Sequence, residues 1–122
     1  MNSLPKVLLV ASECAPVVKI GELGDVIYNL PKELQNIGFD ARVILPLYKA
    51  VDVKKYNLKL IWRDKRLKIK KDTFNIGLWS GTLPESKTPI YFIENKKYFG
   101  TGGVYFTDAA SKNAQLRNFG VK

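Results

Sequence analysis

Residues 6–46 constrain the fold more than any other part of the sequence. The stretch opens with a short apolar run rich in branched side chains, at residues 6–11, which is typical of a strand buried on both faces. A second apolar run, at residues 41–45, closes it. Between them lie a loop with two glycines and a helical pattern. This order predicts a βαβ unit, with neighbouring parallel strands joined by a right-handed crossover.

The helical pattern follows from apolar residues that recur at steps of three and four. This spacing places one set on a single side of a helix: Leu23, Val26, Ile27, Leu30, Leu34 and Ile37. Gly38 is expected to end the helix. Pro31 falls inside the pattern and is expected to kink the helix or split it near Leu30, because proline removes one hydrogen bond and crowds the preceding turn. The apolar stripe continues past it, which still favours a single helix.

The loop between the first strand and the helix is the candidate functional site. In a βαβ unit this loop lies where unpaired N–H groups and the positive end of the helix dipole meet, so a phosphate fits there. Lys19 could counter the charge of such a phosphate, and Gly21 and Gly24 could let the backbone approach it. Simpler alternatives remain open, namely a surface lysine, glycines that serve turn geometry, and Asp25 as a carboxylate at a helix N-terminus.

In the second half of the chain, the spacing of apolar residues changes from the helical pattern to shorter runs. Short runs, among them 58–62 and 66–70, several with two-residue alternation, predict a β-rich insertion at about residues 56–88, with hairpins against the sheet edge. A polar turn at 82–89 precedes 90–93, which is expected to return as a core strand. The glycines near residue 102 are a poor match to a P-loop. Residues 107–122 are polar and predict a weakly ordered tail.

Composition excludes several kinds of chemistry. A chain of 122 residues fits one domain. It has no histidine and only Cys14 as a cysteine, which excludes histidine-based triads and a zinc site, so we expect no metal and no cofactor. The lone cysteine also excludes an internal disulfide and favours the cytoplasm, with Cys14 as a buried small apolar residue. No run approaches the ~20 apolar residues of a membrane span.

The net charge of +9 comes mostly from residues 49–71. Such a basic segment could bind nucleic acid or another polyanion. Its cations alternate with apolar residues, as in an exposed strand pair, and match no nucleic-acid motif. A solvated surface is therefore favoured, a nucleic-acid partner is not expected, and a polyanion-binding module is kept as an alternative.

Several segments resemble the amino terminus of bacterial glycogen synthases and plant starch synthases (glycosyltransferase family 5). They are KVLLVASECAPVVK at 6–19, Gly21, LGDV at 23–26, LPK at 30–32, RVILP at 42–46 and YFIEN at 91–95. The resemblance implies an α/β fold, the Rossmann-like N-terminal half of a GT-B glycosyltransferase with a parallel sheet core. It also implies retaining transfer of glucose from ADP-glucose to the non-reducing end of an α-1,4-glucan, without a metal.

The resemblance also assigns site residues. In that family the loop reads Lys-Thr-Gly-Gly-Leu-Gly-Asp-Val and holds the nucleotide-sugar diphosphate, which implies phosphate contacts for Lys19, Gly21 and Gly24. Asp25 and Tyr105 would lie on the acceptor side.

Two residues depart from the family loop: Ile20 replaces the threonine and loses a hydroxyl, and Glu22 replaces the second glycine. A carboxylate a few ångströms from a diphosphate costs on the order of a few kcal/mol. The loop should therefore reject nucleotide unless Glu22 swings outward, and the Glu22 carboxylate could itself cap the helix.

The resemblance covers an incomplete domain, residues 1–106, because the family's C-terminal domain and second cleft wall are missing. No catalytic site is complete, so we expect a truncated or split piece that is inactive alone. The alternative is a non-catalytic module that still binds nucleotide or glucan. Its expected partners are ADP-glucose and α-1,4-glucan, with a separate chain carrying the missing domain as a further partner to test. The choice between ADP and UDP donors stays open.

Overall fold

A five-stranded mixed sheet organises residues 3–100, the part of the chain that the structure, a computed structural model, describes. The elements are β1 (Lys6–Val10), α1 (Glu22–Asn36), β2 (Asp40–Pro46), β3 (Lys59–Ile69), β4 (Asp72–Thr82), β5 (Pro89–Glu94) and α2 (Lys96–Phe99). The strand order is β1-β2-β5-β4-β3. β1, β2 and β5 run parallel, whereas β4 is antiparallel to β5 and β3 to β4.

The predicted βαβ unit is confirmed. β1 pairs in parallel with β2, Leu9 opposite Val43, and α1 connects them. Gly38 follows the helix at φ +95°, a left-handed conformation that glycine adopts without steric cost. Its N–H donates to the Gln35 carbonyl, and the Phe39 N–H donates to that of Leu34. These bonds satisfy carbonyls that the helix end would otherwise leave unpaired.

Helix α1 runs unbroken through Pro31, so the prediction of a single helix is confirmed and that of a split is wrong. Pro31 lies on the buried side of the helix. The apolar ring is thus removed from water, which offsets the one backbone hydrogen bond that proline cannot make.

The side of α1 that packs inward differs from the apolar stripe. Gly24, Ile27 and Pro31 are buried, whereas four stripe residues are exposed: Leu23, Val26, Leu30 and Ile37. At about 100° per residue the two groups lie roughly a quarter turn apart. Two contacts fix this rotation. The Tyr28 hydroxyl donates to the Pro84 carbonyl at 2.6 Å, and Gln35 Nε2 donates to Thr88 Oγ1 at 3.1 Å.

The expectation that β1 is buried on both faces is wrong. β1 lies at the edge of the sheet, and Leu8 and Val10 are 53% and 78% exposed. The opposite side of the sheet carries the core, built from Val43, Leu45, Ile90 and Phe92 against Ile27 of α1. We call the other side the back face; it presents Leu8, Val10, Arg42, Ile44, Tyr91 and Ile93.

The predicted β-rich insertion is a single hairpin. The runs at 58–62 and 66–70 belong to one strand, β3, whose register shifts near Trp62 and whose Asp64 has φ 59°. β3 is exposed along almost its whole length, so its basic side chains lie in solvent, as the strand-pair pattern predicted. After a connection at 83–88, β5 returns between β2 and β4, which confirms the predicted core strand. The tail at 107–122 lies outside the described residues.

Candidate functional site

The loop between β1 and α1 lies at the carboxyl edge of the parallel strands, as predicted. Its path is fixed by backbone hydrogen bonds. Cys14 and Val18 bond to each other twice at 2.9 Å, and the Ala15 N–H donates to the Gly24 carbonyl at 2.9 Å. The Tyr48 hydroxyl donates to the Ser12 carbonyl at 2.8 Å. The loop is therefore held against both the first turn of α1 and the segment after β2.

The centre of the loop is occupied by the carboxylate of Glu13, a residue that is only 1% exposed. Its oxygens accept the N–H groups of Ile20 at 3.2 Å, Gly21 at 3.1 Å and Gly24 at 2.7 Å. A buried carboxylate needs such donors, and the amino end of a helix supplies them. Glu13 thus fills the position that we predicted for a phosphate against these amides.

Sequence reasoning missed Glu13. The available signal was its position, since it is the one acidic residue in the mostly apolar stretch between β1 and Lys19. An acidic side chain there must either reach solvent or find hydrogen-bond donors. Its donors are separated from it by up to eleven residues, so no local pattern identifies them.

Glu22 does not cap the helix. Gly21 is the N-cap residue and has no side chain with which to cap the first turn, and Glu22 is exposed. The suggestion that the Glu22 carboxylate fills the loop is therefore wrong, and Glu13 takes that place. Because Glu13 already contributes a negative charge inside, a second carboxylate is more stable in solvent.

Lys19 and Asp25 form an ion pair at the mouth of the loop. Lys19 Nζ lies 2.9 Å from Asp25 Oδ2, and the two side chains are 49% and 52% exposed. Such a solvated pair contributes only about 0–1 kcal/mol, so Lys19 can exchange its partner at low cost.

The two loop glycines, Gly21 and Gly24, differ in how much space a side chain would have. A Cβ on Gly24 would lie 3.2 Å from Lys19 Cγ and 3.4 Å from Glu13 Oε1, so this position requires close packing. At Gly21 the nearest atom would be Glu13 Oε1 at 3.9 Å, an ordinary contact. Gly24 therefore shapes the loop, whereas Gly21 is not required sterically.

Cys14 is fully buried, which confirms the prediction of a structural thiol. Burial raises its pKa from 9.0 to about 12, so the nucleophilic thiolate is suppressed at neutral pH.

Other features lie away from this loop. Tyr105 is outside the described residues. A groove of about 360 Å³ separates the β3–β4 hairpin from α2, and there Arg63 is already paired with Glu94 at 2.9 Å. Residues 3–100 contain no group of three metal-ligating side chains. No helix in that range is both long and apolar enough to cross a membrane.

Comparison with known proteins identifies the family. A family profile described as the starch synthase catalytic domain matches residues 6–121. The chain belongs to this family. Glycogen synthase 1 of Geobacter metallireducens is 40% identical over 103 residues, which is 82% of this chain and 20% of that protein. Glycogen synthase of Syntrophotalea carbinolica is 37% identical over 115 residues, 93% of this chain and 23% of that protein. The chain thus spans about a fifth of these relatives.

A solved structure confirms the fold. The catalytic domain of starch synthase IV from Arabidopsis thaliana, bound to ADP and acarbose, superposes with a TM-score of 0.71 at 27% identity. The match covers 99% of this chain and 27% of that chain. The starch synthase family member described here therefore has the α/β, Rossmann-like fold of a GT-B glycosyltransferase.

Proposed function

We propose that this chain supplies the phosphate-binding wall of the donor cleft in a glucan synthase of glycogen biosynthesis. The donor would be ADP-glucose and the acceptor an α-1,4-glucan, a choice supported by the family and by the ADP and acarbose bound to the starch synthase IV neighbour. The observation that carries the proposal is the half-exposed Lys19 in the loop between β1 and α1.

Lys19 is the group proposed to contact the diphosphate. Its ammonium lies beside the amino end of α1, so the cation and the helix dipole both favour an anion there. The charge that develops on the departing diphosphate strengthens this attraction as the sugar leaves. Because the pair with Asp25 is solvated, it would not hold Lys19 back. We assign Asp25 the task of holding Lys19 at the mouth of the loop before donor arrives, in addition to any contact on the acceptor side.

The backbone donors left for a phosphate differ from those predicted. Glu13 accepts the N–H groups of Ile20, Gly21 and Gly24, while no hydrogen bond from the Glu22 or Leu23 N–H is found within residues 3–100. We propose that these two amides meet the phosphate and that Gly24 serves by allowing close packing. The outward Glu22 side chain would weaken binding by charge repulsion without blocking the amides.

Transfer of glucose needs more than this wall. The chain covers 20–23% of the glycogen synthases compared here, so the opposing wall belongs to the part of those proteins that it does not match. A cleft without that wall is open to water. We therefore propose that the 122-residue chain alone does not transfer glucose. We also propose a cytoplasmic location, supported by its single cysteine.

Calorimetric titration with ADP tests the proposal. We expect weak binding by the chain, at least about tenfold weaker for Lys19→Ala and several-fold tighter for Glu22→Gly, because a charge near a phosphate changes binding by ~1 kcal/mol or more at an exposed site. Lys71→Ala, an exposed lysine of the hairpin turn, is the matched control and should bind like the unmodified chain. Equal affinities for Lys19→Ala and Lys71→Ala would exclude Lys19 as the phosphate contact. A parallel titration with UDP determines which nucleotide is preferred.

A further inference from the structure

The outer half of the β3–β4 hairpin is a two-stranded ribbon without a third strand in the described part of the chain. β4 pairs with β5 through residues 77–82, whereas residues 72–76 pair with β3. We call residues 65–76 the arm. The Phe74 ring of the arm contacts the Tyr98 ring of α2, with 5.5 Å between their centroids. The arm therefore extends past the three-stranded part of the sheet and touches the rest of the protein at α2.

The arm carries a dense group of positive charges. Its residues 65–71 hold five cations and no acidic residue, and the five are Lys65, Arg66, Lys68, Lys70 and Lys71. All five are exposed, and within residues 3–100 none of them forms a salt bridge. Cations held this close together repel one another, so a ligand with several negative charges is attracted more strongly than a single ion.

Strand register separates cations of the arm from its apolar side chains. Arg66 lies opposite Asn75 and Lys68 opposite Thr73, so these four side chains share one surface, the polar face of the arm. Its two cations are two strand residues apart, which is about 7 Å. Asp64, whose carboxylate accepts a hydrogen bond from Asn75 Nδ2 at 3.2 Å, limits this face at the base of the arm. The other face carries Leu67, Ile69, Phe74 and Ile76, with Lys65 and Asp72 at its ends.

We propose that the polar face binds a linear polyphosphate, a flexible polymer whose negative charges repeat along its length. Successive phosphates would meet Arg66, Lys68 and then Lys70, which follows in the turn. The Thr73 hydroxyl would donate a hydrogen bond to the same chain. Release of the polymer's counterions favours the complex. Because β3 and β1 form opposite edges of the sheet, this site is separate from the phosphate contact proposed for Lys19 and does not depend on it.

Two other polyanions fit the polar face less well. Proteins that bind single-stranded nucleic acid stack its bases on aromatic rings beside the cations. The aromatic residue of the arm, Phe74, lies on the opposite face. An anionic membrane attracts cations and takes up apolar side chains at the same surface. Here Leu67 and Ile69 point away from the polar face, so a membrane would meet one set or the other.

The test is titration of the full chain with labelled long-chain inorganic polyphosphate, followed by fluorescence anisotropy between about 50 and 200 mM salt. Arg66→Gln/Lys68→Gln should bind at least about tenfold more weakly at the lowest salt, and its plot of log K against log salt should be shallower by about 1. Lys6→Gln/Lys87→Gln removes the same charge from exposed lysines outside the arm and is the matched control, expected to bind like the unmodified chain. Arg66→Lys/Lys68→Arg keeps both charges and should also bind normally.

Several outcomes would overturn the proposal. Equal losses in Arg66→Gln/Lys68→Gln and in the matched control would show attraction to the overall charge of +9 without a site. Tighter binding of a DNA oligonucleotide than of polyphosphate at equal phosphate concentration would assign the polar face to nucleic acid. Co-sedimentation with phosphatidylglycerol vesicles that Leu67→Ser/Ile69→Ser abolishes would assign the arm to a membrane. Lys19→Ala should bind polyphosphate normally, so failure of ADP binding is distinguishable from failure of this proposal.

Discussion

A single buried carboxylate determines the geometry of the loop that follows β1. Glu13 gathers three backbone N–H groups from residues 20–24, so the amino end of α1 already has an internal anion. The position of this loop could be predicted, because glycines between a strand and a helix mark it locally. The carboxylate inside it could not, because Glu13 and its donors are brought together only when the loop closes. Lys19 lies on the outside of that closed loop, where it forms a half-exposed ion pair with Asp25.

Removing the Glu13 carboxylate should destabilise the chain. Glu13→Ala removes the carboxylate that accepts three backbone N–H groups, among them the buried N–H of Gly24, and we expect the free energy of unfolding to fall by about 3 kcal/mol. Glu13→Gln keeps one carbonyl oxygen as an acceptor and should lower the free energy of unfolding by less. Urea denaturation measures both, with Glu22→Ala as the matched control, expected within about 0.5 kcal/mol of the unmodified chain. Similar losses for Glu13→Ala and Glu22→Ala would contradict the role assigned to Glu13.

The Cys14 thiol should be unreactive in the folded chain. With a pKa of about 12, the folded state favours the neutral thiol, whose stabilising contribution is complete below pH 9.0 and is lost as pH rises toward 12. Labelling with a thiol reagent at about pH 8 should be at least ~100-fold slower in the folded chain than in urea. A Cys14→Ala/Lys71→Cys variant provides an exposed thiol as the control. Equal labelling rates for the two thiols in folded protein would show that Cys14 is accessible.

At the scale of elements, the strands, helix α1 and their order along the chain could be predicted from the sequence. The rotation of α1 against the sheet could not. The apolar runs identify β1, β2 and β5 because each carries its own local pattern. The rotation of α1 depends on Tyr28 and Gln35, whose partners lie 56 and 53 residues further along the chain. Several apolar residues of α1 therefore face away from the core. The two runs that merge into β3 were separated in the prediction because Asp64, in a left-handed conformation, interrupts the two-residue alternation.

The end of α1 depends on glycine at position 38. In Gly38→Ala the new Cβ meets no atom within 4 Å, so the expected loss of about 1 kcal/mol comes only from the positive φ of +95°. Gly21, at the other end of the helix, has an extended backbone with φ −146°, so Gly21→Ala adds no backbone strain and should lose only about 0.5 kcal/mol, because alanine is the poorer N-cap residue. Thermal or urea unfolding compares the two. If Gly38→Ala leaves the free energy of unfolding unchanged, the end of α1 does not depend on a left-handed residue at position 38.

At the scale of the whole molecule, the chain matches about a fifth of the length of the glycogen synthases compared here. Within residues 3–100 its sheet carries a helix layer on one side, and β1 pairs only with β2. The phosphate contact proposed for Lys19 would need an opposing cleft wall, which we propose to lie in the part of those relatives that the chain does not match. The resemblance to glycogen and starch synthases predicts an incomplete domain, whereas the exposed back face became evident only from the strand order.

The most direct test of this interpretation is transfer of labelled glucose from ADP-glucose to glycogen. The 122-residue chain alone should give no incorporation above background, and its complex with the rest of a related glycogen synthase should give incorporation that falls by at least about 100-fold in Lys19→Ala. Turnover by the isolated chain, or a complex whose activity is unchanged by Lys19→Ala, would contradict it.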